Sequence, residues 1–474
     1  MDPTTKTRAP VAEAPLTGED SGIPAVATDS GDLLHGSMDR VLLRLAGPAI
    51  LAKALHAGLG LVDVFWVGRL GAAPTAAVTT SFFASWVLLS ATDLTALGIL
   101  AHVARNIGAG DRARAGHAAS QGLLLGVGLG GVLALVAWIV APMLFAALHT
   151  APDVAEPGIA YLRIFYLAAP FTFTYTNCEF AMRAAGNTRT PLLVTGGMVL
   201  SNAVLDPLFI FGWGPIPAYG VRGAAWATFA AQVLAVGGFA WLAARRHPHL
   251  PLSRASLRSF DRRLASSLLR IGAPGMAVGT LFSGIYLFMS GIAARLGTAP
   301  LAVMGLANRI ESVTYLVCHG FGAATATLVG QNLGARQPSR AARAAWRSTL
   351  WMLLYGVATG AIMILFPRTL LGIFSNDSGV LEAGVPYLRI LGLAMPFMAI
   401  EIVLENAFSG AGDNVPPMVI SVPMNLVRVP LLVWTMALGA GLMGIVWVVT
   451  LTAMVRGLLA AAWFRRGNWA HRTL

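Results

Sequence analysis

The sequence predicts an all-α membrane protein that crosses the bilayer many times, and three observations support this prediction. Of its 474 residues, 56 % are hydrophobic and 11 % are charged, whereas soluble domains are roughly half apolar and a quarter charged. The apolar runs are about 20 to 28 residues long, which suits helices crossing ~30 Å of hydrocarbon rather than the short alternating strands of a barrel. The second half of the sequence also repeats the first.

Glycine, proline and charged residues divide the apolar sequence into about twelve spans. A polar, basic stretch at 245–263 separates the sixth span from the seventh. We therefore expect a disordered cytoplasmic tail (1–40), an N-lobe (41–244), a cytoplasmic linker (245–266), a C-lobe (267–466) and a cytoplasmic C-terminal segment (467–474). The predicted spans are 41–68, 75–104, 117–142, 159–184, 190–212, 219–244, 267–294, 301–331, 342–366, 384–410, 416–437 and 440–464.

The formal charge of +12 comes from arginines that cluster in the segments after even-numbered spans. Such clusters mark the cytoplasmic side of a membrane. They predict a multi-pass protein of the plasma (inner) membrane with both termini in the cytoplasm, and they argue against nucleic acid as a partner. The two cysteines, Cys178 and Cys318, lie in predicted helices and do not form a CxxC pair or a metal-binding motif. We therefore expect neither redox chemistry nor metal binding from them.

The two halves match at a constant separation of 226 positions. Pro48 corresponds to Pro274, Arg69 to Arg295 and Asn106 to Asn332. A register kept without a gap over so many helices indicates duplication. Because each half has six spans, the repeats run parallel and should be related by an axis along the membrane normal, with any transport path between them.

Several duplicated motifs resemble the multidrug and toxic compound extrusion (MATE) family over 41–466. They are LVDVFWVGRLGAA (61–73), NIGAGD (106–111) with QNLGA (331–335), AGNTRTP (185–191) with AGDN (411–414), and SNAVLDPLFIFG (201–212). The resemblance implies twelve helices in two six-helix bundles that form a V. It further implies a monomer that exports organic, often cationic compounds in exchange for inward H⁺ or Na⁺.

Two acidic residues are the candidates for ion coupling. Asp63 and Asp206 lie at similar distances from the outer ends of the first and fifth spans, so they could share one cavity, and Asn202 precedes Asp206 by one helical turn. Ionisable groups inside the membrane are expensive and usually functional. A carboxylate pair beside an amide can hold a proton, or Na⁺ through oxygen ligands. The three residues also match the N-lobe site of the family's DinF-like branch.

The remaining candidates are weaker, and each has a structural alternative. His56 could relay protons, while Lys53 could pair with an acid or extend to the cytoplasmic boundary. Asp93 and Glu311 could line the central cavity that the family resemblance implies. Glu401 and Glu405 could form an ion pair with Arg428. The other candidates are Pro48 for a helix bend, and Phe82, Tyr286, Phe288 and Met289 for a substrate surface.

The C-lobe lacks the acidic residues at the repeated positions. Met289 stands opposite Asp63, Arg428 opposite Asn202 and Leu432 opposite Asp206, and 281–297 contains no carboxylate. The sequence therefore favours H⁺ over Na⁺, and we expect multidrug efflux without a bound cofactor. A Na⁺-coupled exporter and a lipid-linked saccharide flippase remain alternatives. No metalloprotease motif, intramembrane Ser/His constellation or phosphate-binding loop suggests an enzyme.

Overall fold

The computed structural model describes residues 33–147, 150–245, 247, 249–250, 252–253 and 255–474, without the side chains of 61, 72, 82–84 and 147. The described residues are helical apart from turns, loops and an isolated bridge between Trp213 and Ile216. The helices are α1 (Met38–Gly68), α2 (Ala72–Gly108), α3 (Arg112–Ala147), α4 (Pro152–Leu167), α5 (Ala169–Ala184), α6 (Arg189–Phe211), α7 (Val221–Ala244), α8 (Arg262–Leu296), α9 (Thr298–Gly334), α10 (Pro338–Leu365), α11 (Pro367–Gly372), α12 (Ser378–Gly392), α13 (Met395–Ala411), α14 (Val415–Ala437) and α15 (Gly441–Arg465).

Ten of these helices are long and apolar enough to cross a membrane, and α12 with α13, bent by 50°, would make an eleventh span. The fourth predicted span corresponds to α4 and α5, which are separated at Ala168. Its second half carries Glu179 and Arg183, so it is less apolar than the other spans. The helices at each predicted span confirm the all-α architecture, although α3, α4, α8 and α12 begin five to seven residues earlier than predicted. Helices need not end where the hydrocarbon does, because their own backbone hydrogen bonds continue into the polar boundary.

Most of the predicted disordered tail lies outside the described residues. Within 33–40, Leu33 is buried in the same apolar cluster as Val41 and Leu42. Asp39 accepts hydrogen bonds at 2.8 and 2.9 Å from Arg347 in α10. This end of the predicted tail is therefore packed against the C-lobe.

The repeat is preserved in three-dimensional contacts. Arg163 Nε donates to Trp138 O at 3.2 Å, and Arg389 Nε donates to Ile364 O at 3.3 Å, each residue being displaced by 226 positions. Likewise, Gly130 packs against Pro170, and its counterpart Gly356 packs against Pro396. Because the same distant contacts recur, the two halves share one fold as well as one sequence pattern.

The lobes meet through α2 against α8 and α9 against α1 and α2. Their backbones approach too closely for a Cβ at Gly98, Gly272 and Gly320, which face Leu268, Leu94 and Ile50 of the other lobe. These contacts lie in the half of the molecule that also holds the start of α1, the linker and the end of the chain. We call that side the linker face.

The other halves of α1 and α8 have more open surroundings. A Cβ built at Gly58 or Gly60 in α1, or at Gly284 or Gly291 in α8, would meet no atom within 4 Å. The described hydrogen bonds that side chains make from one lobe to the other also lie in the half of the molecule near the linker face. The lobes are therefore joined near the linker face.

Candidate functional site

Three of the predicted residues come together in the half of the N-lobe that lies away from the linker face. Asp63 lies five residues before the end of α1, and Asp206 lies five residues before the end of α6. Their carboxyl groups are within hydrogen-bonding reach of each other. Asn202 Nδ2 donates to Asp206 Oδ1 at 3.3 Å. The structure thus brings together the two acids that the sequence predicts at similar depths.

This site is enclosed, and its polar atoms are only partly satisfied. Asp63 is 9 % exposed, while Asn202 and Asp206 are 0 % exposed. Among the described residues, Asp63 Oδ1, Asn202 Oδ1 and Asp206 Oδ2 have no hydrogen-bond partner. Buried polar atoms usually have partners, and each exception needs an explanation. Here the exceptions are three oxygens, two of them from carboxylates, so the site can accept a proton or a small cation.

Thr228 of α7 belongs to the site but was missed by the sequence reasoning. Asn202 Nδ2 donates to its hydroxyl at 3.4 Å. Its own proton can go to Asp63 Oδ2 at 3.5 Å or to Ala224 O at 3.1 Å. The repeat could have indicated this residue. Met454 stands 226 positions after Thr228, so a polar residue in the N-lobe is matched by an apolar one in the C-lobe, as Asp63 is matched by Met289.

Lys53, His56 and Asp93 belong to a second charged group, nearer the linker face. Lys53 interacts electrostatically with Glu179 and Asp93. Glu179 also forms a 3.4 Å ion pair with Arg183, and both side chains are buried. This central cluster lies where the lobes meet, since Thr327 of α9 donates to Arg183 O at 3.0 Å.

The structure does not join His56 directly to the coupling candidates. Its ring stacks on Tyr175, with centroids 6.4 Å apart, and its described electrostatic neighbours are Lys53 and Glu179. The two-turn separation from Asp63 keeps both residues on one helix face but at different depths. The proton-relay role of His56 stays a prediction.

Glu311 lies among C-lobe charges. It interacts electrostatically with Arg428 and Arg456. Glu401 forms a 3.0 Å ion pair with Arg456 of α15. Arg428 Nε donates to Thr452 at 2.8 Å. The ion pair expected between the glutamates and Arg428 is made instead by Glu401 with Arg456. The reason is that α13 packs closely against α15 and makes little contact with α14.

The structure locates the residue predicted to bend the first helix and three of the four residues predicted to form a substrate surface. Pro48 lies within α1, which continues as one helix on both sides of it. Met289 is 4 % exposed inside the C-lobe core, so it offers no surface to a substrate in this conformation. Phe288 is exposed and Tyr286 is half-buried. The side chain of Phe82 lies outside the described part of the chain.

The C-lobe positions opposite the acidic site form an apolar interior with one arginine. Leu432 and Met289 are buried in the same hydrophobic cluster. Arg428, opposite Asn202, is 3 % exposed and is held by Thr452. The duplicated fold therefore carries the carboxylate pair in its N-lobe copy.

Two repeated helical lobes with buried charges between and within them define the class of this protein as a membrane transporter. The chain belongs to the MatE family, whose model matches residues 48–208 and again 274–434. The two matches begin at the equivalent residues Pro48 and Pro274, which confirms the repeat and its register. Family membership also makes the chain an integral membrane transporter and not an enzyme.

Relatives of known name match nearly the whole chain. The chain is 27 % identical over 437 residues to a probable multidrug resistance protein NorM of Thermotoga maritima, covering 91 % of this chain and 93 % of that protein. It is 28 % identical over 437 residues to an FAD transporter of Shewanella oneidensis, covering 91 % and 95 %. A solved MOP superfamily transporter from Pyrococcus furiosus superposes with a TM-score of 0.86 at 23 % identity, covering 94 % of this chain and 99 % of that one. This likeness confirms the two-lobe fold.

Proposed function

We propose that this protein is an H⁺-coupled antiporter that exports amphipathic or cationic organic compounds from the cytoplasm. The observation that carries the proposal is the buried pair of Asp63 and Asp206, with unpartnered oxygens on both carboxyl groups. The named relatives support multidrug export as the general activity. The coupling ion and its site are inferred from the N-lobe geometry.

The charge balance of the site favours the binding of a positive species. Two carboxylates within reach of each other repel when both are ionised, and desolvation removes the water that would screen them. Asn202 supplies an amide donor and Thr228 a hydroxyl, but neither carries a positive charge. A proton shared by the carboxyl groups would relieve the repulsion and provide a donor to one unpartnered oxygen.

H⁺ is preferred to Na⁺ because the hydrogen bonds around the carboxylates can accommodate a shared proton directly. A Na⁺ ion would need the oxygens of Asp63, Asn202, Asp206 and Thr228 to converge on one point. Asn202 Nδ2, however, is directed toward Asp206 Oδ1 and Thr228 Oγ1. This orientation places a donor, rather than a ligand, between the candidate oxygens. The match of Asp63, Asn202 and Asp206 to the DinF-like branch remains part of the proposal.

Proton binding and substrate release would be linked through α1. Asp63 is near one end of α1, and Pro48, which removes one backbone hydrogen bond, is nearer the other end. Neutralising Asp63 would change the packing of α1 against α6, so protonation and substrate would stabilise different conformations. Asp93 and Lys53 lie in the central cluster between the lobes, where a charged part of the substrate could make contact.

The decisive experiment is efflux from proteoliposomes with an imposed pH gradient or an imposed Na⁺ gradient, using a fluorescent organic cation. The wild-type protein should transport with the pH gradient alone, and Asp63→Asn should lose this activity. Glu382→Gln, which changes an exposed acid in the same way, is the matched control and should retain it. Equal transport by Asp63→Asn and wild type would overturn the site, whereas efflux driven by Na⁺ alone would identify the other coupling ion.

The substrate class can be tested in the same vesicles. One relative is called an FAD transporter, so FAD should be compared with the organic cation as cargo. The flippase alternative needs several basic side chains available to a pyrophosphate. The sequence offers two candidates, of which Arg309 is exposed and Arg428 is buried and donates to Thr452. Of the two cargoes, we expect export of the organic cation and weaker transport of FAD.

A further inference from the structure

Arg105 of the N-lobe reaches across the linker face to the C-lobe. It lies in the last turn of α2, and its Nη2 donates to Ala411 O at 2.9 Å. Ala411 is the last residue of α13, where helix carbonyls lack partners within the helix and carry partial negative charge. The guanidinium therefore caps the end of a helix in the other lobe.

Gln331 makes the reciprocal contact from the C-lobe. Its Nε2 donates to Ala184 O at 2.8 Å, and Ala184 is the last residue of α5. Arg105 and Gln331 are separated by 226 positions, so they occupy equivalent places in the two repeats. Each repeat thus uses the same position of its second span to cap a helix of the other lobe.

The two capping residues lie where α2 and α9 cross. A Cβ at Gly108 would be 1.9 Å from Gln331 O, and a Cβ at Gly334 would be 2.0 Å from Arg105 O. The glycines allow this close approach, and from it the Arg105 side chain reaches the end of α13 while the Gln331 side chain reaches the end of α5. Separation of the lobes at the linker face must break both caps together.

The copies differ in one respect, because Arg105 has a further acceptor. Its Nη1 donates to Arg472 O at 2.5 Å. Segment 468–474 is anchored to the C-lobe by Trp469, which stacks on Phe464 with centroids 4.4 Å apart. Leu474 then borders a recess of about 380 Å³ together with His102 and Arg114 of the N-lobe. Arg105 thus holds both a helix end and this segment.

We propose that Arg105, Gln331 and segment 468–474 form a latch that holds the linker face closed and that must be released in each transport cycle. The proposal rests on the protein being a transporter that opens to each side in turn. Arg105 is the stronger element, because its charged donors hold two carbonyls, whereas Gln331 holds one through a neutral amide. The duplication supplied the shared position, and the arginine makes the two halves of the latch unequal.

Distance measurements between spin labels would test the latch without a substrate or an ion gradient. Labels at Ala113→Cys in the N-lobe and Ser339→Cys in the C-lobe are exposed on the linker face, in a background with Cys178 and Cys318 replaced by alanine. Arg105→Ala should raise the ratio of long to short distances about tenfold, which corresponds to about 1.4 kcal/mol. Gln331→Ala should act in the same direction with a smaller effect.

The matched control is Arg263→Ala, which removes an exposed arginine from the same face. Its distance distribution should equal that of the labelled parent. Arg105→Lys, which keeps the charge but loses the planar fork, should give an intermediate ratio even if Arg105→Ala folds poorly. Unchanged distances in both Arg105 variants, or an equal shift in Arg263→Ala, would overturn the latch. Loss of proton-driven efflux in Asp63→Asn is a separate result, so failure of one proposal leaves the other measurable.

Discussion

The N-lobe and C-lobe are two copies of one fold, yet equivalent positions contain different chemistry. In the N-lobe, one side-chain oxygen on each of Asp63, Asn202 and Asp206 is buried without a hydrogen-bond partner among the described residues. In the C-lobe, Met289 and Leu432 fill the same places with apolar atoms. The shared backbone shows that helix packing does not require the acids, so their presence in one copy needs a functional explanation.

The C-lobe charges illustrate the contrasting structural use of ionisable groups. Glu401 and Arg456 are joined at 3.0 Å and are almost fully enclosed. Glu405 Oε1 accepts from Ser421 at 3.0 Å. A buried charge with a close partner contributes to a fixed arrangement, whereas a buried carboxylate with an unpartnered oxygen can still bind a proton. The acidic site of the N-lobe thus differs from the Glu401–Arg456 pair of the C-lobe in that its buried carboxylates have no cationic partner in the described part of the chain.

The strongest test converts the N-lobe site into its C-lobe counterpart. Asp206→Leu introduces the residue found at Leu432, and we expect proton-driven efflux to fall by at least about tenfold because the carboxyl pair is lost. Proteoliposome efflux under a pH gradient would measure the change. Leu432→Met, a volume-conserving change in the C-lobe copy, should leave efflux nearly unchanged. Full activity of Asp206→Leu would remove the functional distinction between the lobes.

The next effect concerns stability of the C-lobe. Arg456→Met should destabilise the protein by about 3–5 kcal/mol, because Glu401 would remain buried without its ionic partner. Thermal unfolding in detergent, followed by intrinsic fluorescence, would measure the loss. Adding Glu401→Gln should recover much of it. If the single variant were as stable as wild type, the ion pair would not be structural.

A smaller effect is expected at Thr228, the site residue found only in the structure. Thr228→Val removes the hydroxyl that can donate to Asp63 and should reduce proton-driven efflux by up to about tenfold, since a net hydrogen bond contributes about 1 kcal/mol. Thr228→Ser keeps the donor and should remain close to wild type. Equal efflux in the valine and serine variants would show that the hydroxyl has no part in coupling.

The smallest effect is expected at the N-terminal helix caps with which the two lobes begin. Asp261 caps α8 by accepting from Arg263 N and Leu264 N, whereas Ser37 makes no side-chain cap at α1. The Leu264 N–H and then the His117 side chain hold the pKa of Asp261 below its ordinary value of 3.8. Because the folded pKa is lowered, this stabilisation is present above pH 3.8 and is lost as the pH falls through the folded pKa.

Asp261→Ala should therefore lower the unfolding temperature by about 1–3 °C at pH 6. The difference from wild type should shrink as the pH falls below 3.8, where the carboxylate of the unfolded chain takes up a proton before the native one does. Ser37→Ala is the matched control and should show no such pH dependence. A difference that stayed constant from pH 6 to pH 3 would contradict the role of the charge.

The sequence alone determined the helical class and the duplication, and it predicted similar depths for Asp63 and Asp206. These follow from local properties: the length of apolar runs, a constant offset of 226 positions, and the rise of a helix, which gives both acids similar depths. The asymmetry between the lobes was also visible, because it required only a comparison of equivalent positions.

Only the tertiary structure decided which side chains meet across helices. It added Thr228 to the acidic site, gave Glu401 the partner Arg456 instead of Arg428, and separated His56 from Asp63. It also brought Arg105 and Gln331 to helix ends of the opposite lobe. Helical periodicity fixes the face and depth of a residue, but rotation and packing of neighbouring helices determine its partners, and these depend on contacts distant in sequence.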